Sequence, residues 1–217
     1  MEKRIGRSVG ILVFILVFAL TGFGCGEKDT PVEVVKEPEL IESFQGPQLK
    51  PVRLVISKIG IDEKIEAVGK DENDDMEGPP GPIGISWFQS DDGTFPSPGW
   101  TGNALITGHN YFNLVAGTFV DLHKLEIGDT AEFTYEDGSK GLFVVRGRKI
   151  YDETDTTSFK ADKVMSSSGE TRTTIITCHG ERKQGGGYPQ RVVLVFEAVE
   201  HVSASGEKLS VIGELKE

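Results

Sequence analysis

Cysteine is nearly absent from this chain. Its 217 residues carry two, Cys25 and Cys178. That excludes the framework of disulfides with which small exported domains make up for a thin core. Basic residues are the minority charge, 23 against 34 acidic ones, for a formal charge of −11. Three of the basic residues but one acidic residue lie in the first 25, so the remainder is more acidic still. Nucleic-acid binding, which needs a basic patch, is excluded on this balance. Long apolar runs are also missing. The longest, from Val9 to Phe23, is about 15 residues, short of the ~20 that span a bilayer comfortably. Histidine is scarce at four residues, and neither a CxxC nor an HExxH spacing occurs. No metal site is expected on that ground. No internal repeat is present.

The N-terminus is a targeting segment. Lys3, Arg4 and Arg7 precede the apolar run, which places the bulk of the chain outside the cytoplasm. The length of the run fits a signal peptide's apolar region. Thr21-Gly22-Phe23-Gly24-Cys25-Gly26 resembles a bacterial lipoprotein cleavage box, with small Gly24 before Cys25 but Gly22 where leucine is usual. Three fates of this segment stay open: lipidation of Cys25, an uncleaved anchor, or an ordinary signal. All three imply export, and the first two imply membrane attachment. Residues 26–50 are rich in Glu, Lys, Pro and Asp without apolar periodicity, and read as a disordered spacer. A folded domain over 51–205 and a tail over 206–217 complete the division. With Cys25 at the membrane, Cys178 is the domain's sole thiol, and a Cys25–Cys178 disulfide would have to reach back across the spacer.

Within the domain the pattern is one of short strands. Val52–Ile56, Ile83–Phe88, Asn103–Thr107, Ala131–Tyr135, Gly141–Arg146, Thr173–Cys178 and Arg191–Val199 are apolar or alternating runs between Gly-, Pro- and Asp-rich turns. Lys149-Ile150-Tyr151 extends the Gly141 ribbon. Thr118–Leu125 has helical spacing, with Phe119, Leu122 and Leu125 on one face. The acidic stretch Asp71–Glu77 lacks EF-hand spacing and reads as a solvated loop rather than a calcium site. Many glycine turns and little helix point to an all-β closed barrel with one or two short helices.

Chemistry concentrates at three strand ends. Cys178 closes a β-branched run and is followed by polar His179, Gly180, Glu181 and Arg182. His109 follows Ala104–Gly108, and Arg191 heads the last strand. A thiolate is the attacking form of cysteine and needs a nearby cation or base. An imidazolium can deliver a proton to a leaving amine, and a guanidinium stays charged beside a developing oxyanion. Together they suffice for acyl transfer through a thioester. Taken one at a time, each has a plain structural reading: a core cysteine, a turn histidine, a surface arginine. His179 adjoins the thiol, but neighbouring strand residues point to opposite faces. His123 reads as an edge residue, and His201 as one that follows the last strand among polar neighbours. Asn110, next to His109, offers a Cys–His–Asn hydrolase as a further reading. Thr177 and Gly180 are candidates to position substrate by adjacency alone.

These residues resemble the sortases, cysteine transpeptidases of the bacterial surface. The resemblance rests on Thr174-Ile175-Ile176-Thr177-Cys178 with Arg191-Val192-Val193-Leu194, and on Thr107-Gly108-His109-Asn110. Upstream, Gly84–Phe88, Pro98–Ala104 and Phe119–Asp129 follow in the same order and spacing, so that roughly residues 51–200 are covered. The resemblance implies an eight-stranded β-barrel with no cofactor, and Cys178 as nucleophile, His109 as general acid and Arg191 as the oxyanion-binding arginine. It implies substrates bearing an LPxTG-like sorting signal, and an amine acceptor such as a peptidoglycan precursor or a pilin lysine. A monomer is expected, held at the cell surface through its N-terminus. The compact loop Gly185–Gln190 is most similar to class F, with classes D and E open. The competing reading is an exported lipoprotein β-barrel that binds a ligand or partner without chemistry.

Overall fold

The structure, a computed structural model, describes residues 42–44, 46–72, 76–89 and 95–209. Among these residues are ten strands, numbered in chain order, one short α-helix and two 3₁₀ turns, Ser57–Ile59 and Leu122–Lys124. The strands and the helix are β1 (Pro51–Ile56), β2 (Ile61–Val68), β3 (Ile85–Phe88), β4 (Asn103–Thr107), β5 (Tyr111–Phe112), β6 (Val115–Ala116), β7 (Thr130–Tyr135), β8 (Lys140–Asp152), α1 (Thr156–Ala161), β9 (Arg172–His179) and β10 (Gln190–Val202). Eight of them close a barrel in the order β1-β2-β3-β4-β9-β10-β8-β7, while β5 and β6 form a separate hairpin. The β2–β3 and β4–β9 pairs are parallel and the remaining barrel pairs antiparallel. The expected all-β, closed eight-stranded barrel is therefore the observed one.

Neighbouring residues on β4, β9 and β10 belong to different cores. Ile106, Ile175, Val192, Leu194 and Phe196 fill the barrel with Leu54, Ile56 and Phe133. Leu105, Ile176 and Val193 face the other way and meet Tyr151, Val164 and Phe159 beneath the α1 segment. These strands are buried on both faces, which is why they read as unbroken apolar runs. By contrast β7 alternates, with Ala131, Phe133 and Tyr135 buried and the residues between them less so.

Turns follow local chemistry. Asp137 Oδ1 accepts from the Ser139 amide at 2.9 Å and from its hydroxyl at 2.6 Å, and Gly138 takes a φ of 83°. This Asx-type turn reverses β7 into β8. The helix α1, which no motif marked, starts on Asp155, whose side chain accepts from the Ser158 amide at 3.0 Å. Over Thr118–Leu125 the structure differs from the helical reading. Phe119, Leu122 and Leu125 are fully buried as that face required, but only Leu122–Lys124 is helical, and it is 3₁₀. The three side chains recur every third residue, the period of a 3₁₀ turn, which therefore brings them to the same side.

The far end of the barrel is closed by residues of the stretch read as spacer. Phe44 is 3% exposed and stacks on His201 with ring centroids 4.0 Å apart. It meets Trp100 and Tyr135 edge-on at 5.3 and 6.1 Å. Its amide donates to the Gly99 carbonyl at 2.7 Å. His201 lies inside β10 and is buried, rather than beyond the last strand, because a register shift between Ala198 and Glu200 breaks the alternation and turns it toward Phe44. Burial pushes its imidazole below the ordinary range, partly offset by Asp137. Phe44→Ala is expected to cost about 3–5 kcal/mol, read as a lower urea midpoint with an unchanged slope.

Candidate active site

The parallel pairing of β4 with β9 sets the site. Thr107 lies opposite Ile176, and its hydroxyl donates to the Ile176 carbonyl at 3.3 Å. One step on, the Thr177 hydroxyl donates to the Gly108 carbonyl at 2.8 Å. The next step on each strand end is His109 and Cys178. Thr177 is buried and its hydroxyl is spent on this tie, which aligns the two strand ends. On the other side of β9, Cys178 pairs directly with Arg191, and Arg191 with Tyr151 of β8. The three sequence candidates thus stand at the ends of three adjacent strands, His109 just beyond β4, Cys178 in β9 and Arg191 in β10.

Strand alternation gives Cys178 the same face as Ile176, and Arg191 the same face as Val193. That is the outer apolar layer, not the barrel interior. His179 falls on the opposite face with Thr177. Its ring lies 5.1 Å from that of His123, whose carbonyl accepts from Arg148 at 3.0 Å. Burial, then His123 and Arg148, push the His179 imidazole below its ordinary range.

His109 is held by its backbone and one ring nitrogen. Its carbonyl accepts from the Phe119 amide at 2.9 Å. Its Nε2 lies 3.0 Å from the Pro79 carbonyl. A carbonyl only accepts, so Nε2 carries the hydrogen there and Nδ1 is the nitrogen left to exchange a proton. Phe112 packs at 5.0 Å between ring centroids. Gly117 permits this fit, since a Cβ there would come within 2.3 Å of the His109 carbonyl oxygen. Asn110 is buried and its Oδ1 accepts from the Tyr111 amide at 2.7 Å. The side chain is engaged one residue downstream and does not orient the imidazole.

Arg191 is fixed from two sides. One terminal nitrogen donates to the Tyr188 and Gln190 carbonyls at 3.1 and 3.0 Å, and the other lies 3.4 Å from Glu153 Oε1. The Cys178 thiol is pushed up by burial. Arg191 opposes that push and Glu153 adds to it. The loop after β9 turns at Gly180, where φ is 89° and a Cβ would meet Pro189 at 2.9 Å. Gly180 is thus required by the turn that carries the chain back to Arg191.

Beside Arg191 lies a cavity of about 560 Å³, walled by Tyr151, Phe159, Val164 and Met165, with Glu153 at its edge. It is a largely apolar concavity with charged groups among its lining, of the kind that can bury part of a ligand. The α1 segment and Glu153 were not legible as parts of the site. The one available signal was the placement of Asp152-Glu153 at the end of the Tyr151 ribbon. Among the described residues no group of three metal-ligating side chains occurs. Cys25 lies outside the described residues, as does part of the acidic stretch Asp71–Glu77.

Comparison with known proteins agrees with this geometry. The family model described as Sortase domain matches residues 54–199. No curated protein matches the chain in sequence. Among solved structures, the chain is similar to the SrtA sortase from Actinomyces oris, with 16% identity and a TM-score of 0.51, over 84% of this chain and 96% of that one. It is also similar to the lid mutant of sortase A from Corynebacterium diphtheriae, with 19% identity and a TM-score of 0.50, over 72% and 73%. At these identities the structures speak to the fold, and the family match spans most of the barrel and all three strand ends. A thiol, an imidazole and a guanidinium on adjacent strand ends of this closed barrel complete the case, and the chain belongs to the sortase family of cysteine transpeptidases.

Proposed function

We propose that the protein cleaves an LPxTG-like sorting signal between Thr and Gly and passes the acyl group to an amine, with water as the slow alternative. The observation that carries this is the register that sets Arg191 opposite Cys178, together with the Thr177–Gly108 tie that brings His109 to the next strand end. In the first half, the Cys178 thiolate attacks the threonine carbonyl carbon and a C–S bond forms. Arg191 donates to the oxyanion, the C–N bond breaks, and His109 delivers its proton to the leaving amine. In the second half, an acceptor amine attacks the thioester, a C–N bond forms, the C–S bond breaks, and His109 takes the proton back.

The acyl side of the signal fits the apolar cavity next to Arg191. Its donors are surface proteins bearing the signal, and its acceptor is a peptidoglycan precursor or a pilin lysine. The enzyme works as a monomer at the outer surface of a bacterial membrane, held there through an N-terminal segment that includes Cys25. The catalytic domain is assigned to 51–205, with Phe44 of the preceding stretch packed into its core. The short Gly185–Gln190 segment favours class F over D and E. No helix among the described residues is long and apolar enough to cross a membrane; tethering is assigned to residues outside them. The test is a peptide-library cleavage screen with intact-mass trapping of the acyl-enzyme. Cleavage after Thr in LPxTG-like members, with the adduct on Cys178, is the expected result. No adduct with any member would sink the proposal.

A further inference from the structure

Glu153 follows β8 directly and sits where three segments meet. Its amide donates to the Pro189 carbonyl at 2.7 Å, and the side chain of Gln190 donates to neighbouring Asp152 at 3.1 Å. One carboxylate oxygen faces Arg191 at 3.4 Å, while the other pairs with the Lys183 ammonium in the 180–189 loop. The guanidinium is thus gripped between backbone carbonyls on one terminal nitrogen and a carboxylate on the other. A planar fork held this way can rotate little, and its remaining N–H groups keep one direction.

Resting on the proposed function, we infer that Glu153 is a positioning residue, which aims Arg191 at the oxyanion and holds a carboxylate beside the guanidinium that pairs opposite Cys178. Two charged groups act on the thiol, Arg191 from β10 and Glu153 from the end of β8, while His109 stands beyond the end of β4, the strand paired with β9. Arg191 favours the thiolate and Glu153 disfavours it. Glu153 itself stays ionised, because Lys183 first and Arg191 second hold its carboxyl below the ordinary range. In the free enzyme the arginine's charge is therefore shared between a carboxylate and the site. An oxyanion arriving in the cleft meets a donor already aligned, which is where preorganised electrostatics act most strongly.

The test compares Glu153→Gln, Glu153→Asp and Lys183→Ala in the full-length protein. The readouts are the pH profile of Cys178 alkylation by iodoacetamide and the kcat and KM for an LPxTG-type peptide. In E153Q the alkylation profile is expected to move to lower pH, since a charge opposing the thiolate is gone. The kcat is expected to fall about tenfold as the guanidinium loses its alignment, with KM changing less. E153D restores both. An unmoved profile or an unchanged kcat in E153Q overturns the inference. So does an equal kcat loss in K183A, because the carboxylate would then act through the loop alone. A wild-type protein that cleaves no such peptide counts against the proposed function, while the alkylation profiles still read the coupling of Glu153 to Cys178.

Discussion

Cys178→Ala is expected to abolish cleavage of an LPxTG-type peptide, a fall of about 10⁴-fold or more. The substitution removes one sulfur from the last turn of pairing in β9, and the register with Arg191 is made by the backbone. Folding is therefore expected to survive, with circular dichroism unchanged and the urea midpoint close to that of the wild type. No other cysteine is described near the site, and no neighbouring side chain can replace a thiolate that forms and releases an acyl bond. The measurement is product formation by chromatography, with intact mass to confirm that no acyl adduct accumulates. Full activity in the alanine variant would sink the enzyme reading at once, and leave the domain as a binding module.

Arg191→Ala is expected to lower kcat by about 10²–10³-fold, the usual cost of losing one oxyanion donor. The guanidinium also holds the Tyr188 and Gln190 carbonyls, so part of any loss could come from a loosened loop. A loosened loop weakens substrate binding and raises KM, whereas a lost oxyanion donor lowers kcat. A kcat effect at least tenfold larger than the KM effect is the expected split. Arg191→Lys is expected to recover little. An ammonium restores the charge but not the fork that meets two carbonyls, a carboxylate and an oxyanion together. A lysine variant with near wild-type kcat would reduce the role of Arg191 to charge alone.

Much of the barrel was legible because its strands carry strong local signals. The β-branched run of β9, the alternation of β7 and the Asp137-Gly138 turn each specify local geometry without help from distant residues. Thr118–Leu125 shows the limit of such signals. Periodicity identified which side chains are buried, but not whether a helix or a 3₁₀ turn buries them, since both present the same face over so few residues. His201 shows another limit. Polar neighbours suggested exposure, and its burial comes from Phe44, Trp100 and Tyr135, all distant in sequence, Phe44 by more than 150 residues.

The candidate site divides along the same line. Cys178, His109 and Arg191 stood out in sequence because each is a reactive residue type at the end of an apolar run, and chain order alone gives that position. Strand alternation also separated His179 from the thiol, since a period of two needs no tertiary information. Glu153 could not be found this way. It is one acidic residue among many, and its meaning comes from β8 pairing with β10, which brings the end of one strand beside the start of another. The same holds for the cavity under α1, walled by residues from β8, α1 and the segment before β9. Local pattern in the sequence thus accounts for the strong barrel strands, for most of their buried faces and for the three reactive groups. Which strand ends are neighbours, and which charges act on the thiol, are set by tertiary structure. Those depend on barrel closure and on pairings between residues far apart in the chain.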